Sequence, residues 1–262
     1  MSTTPFWLPA RSLWWREMAR FYRQKARVFG IVASPLVFWL LIGAGFGRSM
    51  NVGGVSQDYL LYFFPGALIM TVLFTAIFTM MSVIEDRSEG FLMSVLAAPV
   101  KRSSVVMGKV LGGASLATLQ GVIFLLFAPL VGIRFGVEDA VLIFLVVFLV
   151  AFALTALGFA VAWKLNSTQA FHGVINLFLL PLWLMSGAVF PVEGASRWVQ
   201  LLMKLNPLTY GVDALRQSLF PETVSHASIS LSSSLLVLLV FAAVLFAVAL
   251  SMASRRSERP AA

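Results

Sequence analysis

Chemistry needs polar side chains at workable spacings, and this sequence offers few. The densest acidic group is Glu85, Asp86 and Glu89. Such a trio suits either a divalent cation or the start of a helix, where carboxylates complement the positive end of the dipole. We read it as a helix start, because a short helical segment follows at once. The two histidines, His172 and His226, are isolated from one another, so neither a zinc site nor a histidine-based triad can be assembled. There is no cysteine, which excludes disulfides and thiolate metal sites. Gly108-Lys109 looks like the end of a phosphate loop. However, Ser103 stands where the first glycine belongs and Val110 where Ser or Thr belongs. Gly43, Gly45 and Gly47 close an apolar run with no strand–turn–helix around them, so close packing or backbone flexibility explains them better than a dinucleotide. No catalytic residue and no metal ligand is nominated. The chain is expected not to be an enzyme and to bind no cofactor itself.

The elements around these residues explain the scarcity. Apolar residues make up 60% of the 262-residue chain and charged residues 11%, against roughly 25% charged in a soluble domain. This points to a single polytopic membrane domain over residues 1–262. Six apolar stretches approach or exceed the ~20 residues needed to cross a bilayer: Val28–Phe46, Leu60–Val83, Val105–Val131, Val141–Trp163, Phe171–Phe190 and Leu231–Met252. Together they make a bundle over 28–252, with a tail at 253–262. The net charge of +8 reads as positive-inside bias rather than as nucleic-acid binding. A cytoplasmic N-terminus leaves only Arg48, Arg134, Arg197, Lys204 and Arg216 of the 19 Lys and Arg outside, so both termini are placed inside. The N-terminal region does not read as a cleaved signal, since its apolar run is of span length and no small-residue cleavage site follows.

Three segments between or beside the spans have structure of their own. Residues 6–27 read as an amphipathic interfacial helix. Trp14, Met18, Phe21 and Tyr22 form its aromatic face, and Arg16, Arg20, Arg23 and Arg27 lie opposite, near anionic lipid, at about 1 kcal/mol each. The cytoplasmic interval Ile84–Lys109 contains a short helix on which Phe91, Leu92, Val95 and Leu96 share one greasy face. That face suits either the groove of a soluble partner or the membrane surface. Burying four such side chains in a groove contributes several kcal/mol. Between the last two spans, Trp198, Leu201, Leu202 and Leu205 fall at helical spacing, Asn206-Pro207 breaks the pattern, and Tyr210 to Leu219 resumes it. We read two short helices lying in or dipping into the outer leaflet. The span interiors hold almost no ionisable group, and Lys109 and Lys164 sit at span ends where they can snorkel. An ion-coupled carrier usually needs such groups, so a transporter built from this chain must draw its energy from elsewhere. Met70, Phe74 and Phe78 of the second span, with Met80 and Met81, suit either a substrate path or lipid contact. A self-contained carrier or channel is the alternative function.

Over nearly its whole length the chain resembles the permease subunits of type-2 ATP-binding-cassette exporters. These move drugs, lipids, polysaccharides and related amphipathic cargo. Three groups of residues carry the resemblance. Glu89-Gly90, Leu96-Ala97-Ala98-Pro99-Val100 and Gly108-Lys109 are similar to the family's cytoplasmic loop. Ser186-Gly187 with Phe190-Pro191 closes the fifth span. Asn206-Pro207-Leu208-Thr209-Tyr210 with Asp213 and Arg216 matches its outer motif. Ala97-Ala98 departs from the commoner Leu and Ser or Thr. The resemblance implies an all-α integral membrane fold of six transmembrane helices, with an N-terminal elbow helix and outer re-entrant helices before the last span. It also implies a coupling helix, Phe91–Ala98, flanked by Glu89, Gly90 and Pro99, that fits a separate ATPase subunit. Two ATPases, which hold ATP and Mg, would pair with two permeases, identical or paralogous, in a bacterial-type inner membrane.

Overall fold

Inside a bilayer no water can satisfy backbone amides and carbonyls, so long runs of Leu, Val, Phe and Ala must close their hydrogen bonds within helices. The computed structural model bears this out, and it describes residues 6–23, 25–46, 51–52, 55–56, 59–220 and 229–255. The tail at 256–262, and Arg48 and His226, lie outside the described residues. The helices are α1 (Trp7–Arg23), α2 (Lys25–Phe46), α3 (Tyr59–Thr79), α4 (Met81–Ser88), α5 (Phe91–Ala97), α6 (Arg102–Leu125), α7 (Val137–Lys164), α8 (Thr168–Trp183), α9 (Arg197–Leu205), α10 (Pro207–Leu219) and α11 (Leu231–Arg255). Between α2 and α3, Asn51–Val52 pairs antiparallel with Val55–Ser56.

The protein is an all-α, multi-pass membrane protein. Among the described residues, five stretches are long and apolar enough to cross a membrane: Tyr59–Ser88, Arg102–Val131, Val137–Lys164, Thr168–Ala188 and Leu231–Ser254. The sixth expected span falls in α2, a helix of 22 residues, whose fully described apolar part, Ala33–Phe46, is shorter than a span.

The centre of the bundle is α3, with 83% of its apolar window buried, against 33% for the α8 stretch and 17% for α11. Helices α3, α6 and α7 approach closely at Gly113, Gly121 and Gly158, where an added Cβ would lie 3.2 Å or less from a neighbour. Small residues are what allow such contact where lipid removes the hydrophobic drive between helices. The hydroxyls of Thr71, Thr75 and Thr79 donate to the carbonyls four residues back, at 3.1, 2.8 and 2.6 Å. These three hydroxyls are therefore satisfied within the helix.

The elbow helix α1 differs from the sequence expectation. Its inward face is Ala10, Leu13, Glu17 and Phe21, and it packs along α6 rather than only on lipid. Trp14 Nε1 donates to Ser115 Oγ at 3.0 Å, while Trp7, Trp15 and Tyr22 are exposed. Arg16 and Arg20 turn toward carboxylates of the chain itself, not toward lipid. The helical period of α1 is present, and its inward face includes one acidic residue, Glu17.

Candidate functional site

Two polar assemblies stand at opposite ends of α3. At the elbow end, α3 runs almost without a break into α4, and Gly90 then turns the chain into α5. Gly90 has φ +77°, in the left-handed region that L side chains avoid. Its carbonyl accepts from the Ser94 amide at 3.1 Å, which starts α5. At the other end of α5, Ala98 is extended (φ −72°, ψ 157°), as the residue before a proline must be. Pro99 to Lys101 then lead into α6.

The apolar face of α5 does not point outward. Leu92 is 3% exposed and belongs to the chain's own core, and Phe91, Val95 and Leu96 pack against that core. The Arg16 guanidinium lies 3.6 Å from the centre of the Phe91 ring, a cation–π contact. The outward face consists of Glu89, Met93, Ser94, Ala97, Ala98 and Pro99, and Met93 is 64% exposed. Of the four residues expected to share a greasy face for a partner, Leu92 is buried in the chain's own core, while Phe91, Val95 and Leu96 are half-buried against it. This face rests against the bundle, and the small and polar side of α5 stands outside.

Behind α5 lies a charge cluster that sequence reasoning missed. Arg16 grips Asp86 with both terminal nitrogens at 2.7 Å. Arg20 donates to Asp86 at 2.9 Å and to Glu85 at 2.6 Å. Lys109 bonds Glu17 at 2.5 Å, Ser82 Oγ at 3.2 Å, and Asp86 as well. Glu17, Asp86 and Lys109 are all essentially buried, at 2%, 0% and 1% exposure. The Asp86 carboxylate raises the Arg16 pKa above its ordinary value. Glu85 and Asp86 therefore end α4 as partners for α1 and α6, and they do not cap α5 as the sequence suggested. Nor does Lys109 snorkel. Gly108 and Gly112 flank it because an added Cβ would lie 2.6 Å from the Ala10 carbonyl oxygen and 2.8 Å from Glu17 Cβ. Two signals in the sequence pointed here: one carboxylate in an arginine-rich helix, and one lysine between glycines in an apolar run. Arg87, next to Asp86, donates to the carbonyls of Trp163 and Leu165 at 3.0 and 2.9 Å, satisfying the open end of α7.

At the far end, α8 passes Pro181 and widens into a π turn, Leu184–Ala188. Gly187 takes φ +77°, and several carbonyls lose their helical partners. The motif residues take them up. Asn206 Nδ2 donates to Leu182 O at 2.6 Å and Met185 O at 3.1 Å, while its Oδ1 accepts from Leu208 N at 3.0 Å. It thus caps α10, with Pro207 in the first turn where its missing amide costs nothing. Gly187 O accepts from Tyr62 Oη at 3.0 Å and Arg216 Nη2 at 3.1 Å. Tyr59 Oη donates to Val189 O at 2.9 Å. Tyr210 Oη reaches back to Lys204 O at 2.9 Å, and Asp213 accepts from Gln217 and Ser234 at 2.7 and 3.1 Å. Pro191 follows the turn and starts the short 3-10 helix that leads to α9. The two expected helices, α9 and α10, are present, and α10 is sunk among α3, α7 and α11.

Met70, Phe74 and Phe78 part company. Met70 packs into the chain's own core at 7% exposure. Phe74 and Phe78 stack at 5.7 Å, and Phe78 faces His172 at 5.0 Å; both phenylalanines are half-buried.

A family model described as ABC-2 type transporter matches residues 10–220. The chain belongs to the ABC-2 type transporter family. The match begins in α1 and ends just past α10, so it takes in both polar assemblies. Among curated relatives, the putative transport permease ycf38 of Cyanophora paradoxa is 28% identical over 224 residues, covering 80% of this chain and 77% of that protein. The daunorubicin resistance ABC transporter permease protein DrrB1 of Streptomyces coeruleorubidus is 26% identical over 211 residues, covering 78% and 72%. The probable multidrug ABC transporter permease YbhR of Escherichia coli K12 is 32% identical over 165 residues, covering 61% and 44%. This family member is the membrane subunit of an ABC transporter, a transport component rather than an enzyme.

Proposed function

We propose that this permease exports a hydrophobic or amphipathic substrate using ATP hydrolysed by a separate ATPase subunit that docks on α5. The observation that carries this reading is the setting of α5. It is a seven-residue helix held on the bundle by its apolar side, turned out by Gly90, and joined directly to α4 on one side and α6 on the other. A force applied to Glu89, Met93, Ala97 and Pro99 therefore reaches the central helix α3 and its neighbour α6 together. Both termini and α5 lie in the cytoplasm, by the positive-inside bias of the loops, and the membrane is a bacterial-type inner membrane. Two ATPases, which hold ATP and Mg, serve two permeases, the second a copy of this chain or a paralogue. The exposed apolar residues Leu177, Phe178 and Leu180 on α8 give the second permease a surface to meet. Phe74 and Phe78, beside His172, line the substrate path near it.

The test separates the two sides of α5. Met93→Glu places a charge where a partner's groove would desolvate it, and should weaken co-purification of the ATPase by at least about tenfold. ATP-driven export should fall with it, while the permease stays folded. Leu92→Ala opens a cavity in the chain's own core, costs about 2–5 kcal/mol of stability, and lowers the permease's own melting temperature. Unchanged ATPase association and export in Met93→Glu would refute the docking assignment.

A further inference from the structure

Beside the π turn, between α9 and α10, lies a pocket of about 290 Å³ lined by Arg216, Lys204, Gln200, Ser186, Val212 and Ile229 among others. Most of its hydrogen-bond donors are already spent. Ser186 Oγ donates to Trp183 O, Gln200 Nε2 to Ala195 O, and Thr209 Oγ1 to Met203 O. The one carboxylate in the lining, Asp213, is engaged by Gln217 and Ser234. The two cations are not spent in this way. Among the described residues, neither Arg216 nor Lys204 has a carboxylate within 4.0 Å. Arg216 uses Nη2 on Gly187 O and rests over the Tyr62 ring at 4.4 Å, yet its Nε is buried without a partner. A buried guanidinium N–H with nothing to bond carries a desolvation penalty that an anion would remove.

We infer that this pocket binds an anionic group, a phosphate or carboxylate, held by the Arg216 fork with Lys204 as second cation. The pocket opens next to α9, whose Trp198, Leu201 and Leu205 stand exposed in one apolar row. A headgroup seated on Arg216 and Lys204 would lay its acyl chains along that row, so the anion is that of an amphiphile. The Tyr62–Gly187–Arg216 contact means that the ligand would touch the same guanidinium that braces the end of α8.

The full-length chain should be reconstituted in nanodiscs of phosphatidylcholine with a minor fraction of phosphatidylglycerol, and the retained lipid read by native mass spectrometry. In parallel, the delipidated protein in neutral detergent should be titrated with inorganic phosphate by calorimetry. Wild type should retain phosphatidylglycerol in preference to phosphatidylcholine, and Lys204→Gln and Arg216→Gln should each weaken that preference about tenfold. Because Arg216 also braces Gly187, Lys204→Gln is the variant that leaves the fold alone, and Arg216→Lys should restore part of the binding. Phosphate binding that both variants abolish, with no lipid preference, would support the anion site with a free anion as its source. No selective binding of either probe, or binding that both variants leave unchanged, would overturn the proposal.

Discussion

Replacing Lys109 by methionine tests whether the buried charge cluster holds the elbow helix in place. The lysine is 1% exposed, and its ammonium serves Glu17 and Asp86 together. Asp86 would keep Arg16 and Arg20. Glu17, 2% exposed, would lose the only cation paired with it among the described residues. Removing one partner of a buried pair typically costs about 3–5 kcal/mol, because the other charge is left uncompensated. A total stability of about 5–15 kcal/mol makes that a large fraction, worth a drop of roughly 10 °C in melting temperature for a chain of this size. The loss should be concentrated in α1, whose contact with α6 passes through this residue. Glu17→Gln alone should cost less, since Lys109 keeps Asp86 and Ser82. The double variant Lys109→Met/Glu17→Gln should recover at least half of the single lysine loss, because no orphaned charge remains. Thermal unfolding in mild detergent, followed by far-ultraviolet circular dichroism, reads all three. A Lys109→Met variant within about 1 kcal/mol of wild type, or a double variant no better than the single, would refute the argument.

Two further substitutions test the turns at either end of α3. Asn206→Ala strips the α10 cap and leaves the Leu182 and Met185 carbonyls without their side-chain donor; a loss of about 2–4 kcal/mol is expected in the same unfolding assay. Gly90→Ala meets no neighbour within 4 Å, so its cost is confined to the left-handed backbone, about 1–2 kcal/mol. It should leave the bundle folded but loosen the angle between α4 and α5, lowering ATP-driven export more than it lowers melting temperature.

Much of the architecture is legible in the sequence because hydrophobic length and helical period are direct consequences of the bilayer. The long apolar runs, the short helix after Gly90, and the break at Asn206-Pro207 fall where those rules put them. What periodicity did not reveal is the inward face of a helix. In water an apolar stripe marks the protein side, but in lipid an apolar stripe suits either side equally. That is why the stripe Trp14, Met18, Phe21 and Tyr22 does not separate the lipid side of α1 from its protein side: Phe21 is buried, Trp14 bonds Ser115, and Tyr22 is exposed. The decisive residues are the polar ones, which tolerate only one environment. Glu17 and Lys109 set the face of α1, and Asn206 ties the end of α8 to α10. The outer motif was visible as a pattern, yet its role needs the π turn, and nothing local in the sequence announces that Gly187 will turn left-handed.

The distribution of polar bonds along α3 also bears on how motion would pass through the protein. The stretch Tyr59–Ser88 is 30 residues, about 45 Å of helix at 1.5 Å per residue. In its middle, the threonine hydroxyls return to the helix's own carbonyls, and contact with α6 and α7 is by close, small-residue packing. At its two ends the bonds leave the helix: Asp86 and Glu85 to α1 and α6, and Tyr59 and Tyr62 to the turn after α8. The side-chain bonds that tie this stretch to other elements are thus gathered toward its two ends. On the proposed docking at α5, the continuous path along α3 leads to Gly187, where Arg216 meets both the turn and the pocket beside it.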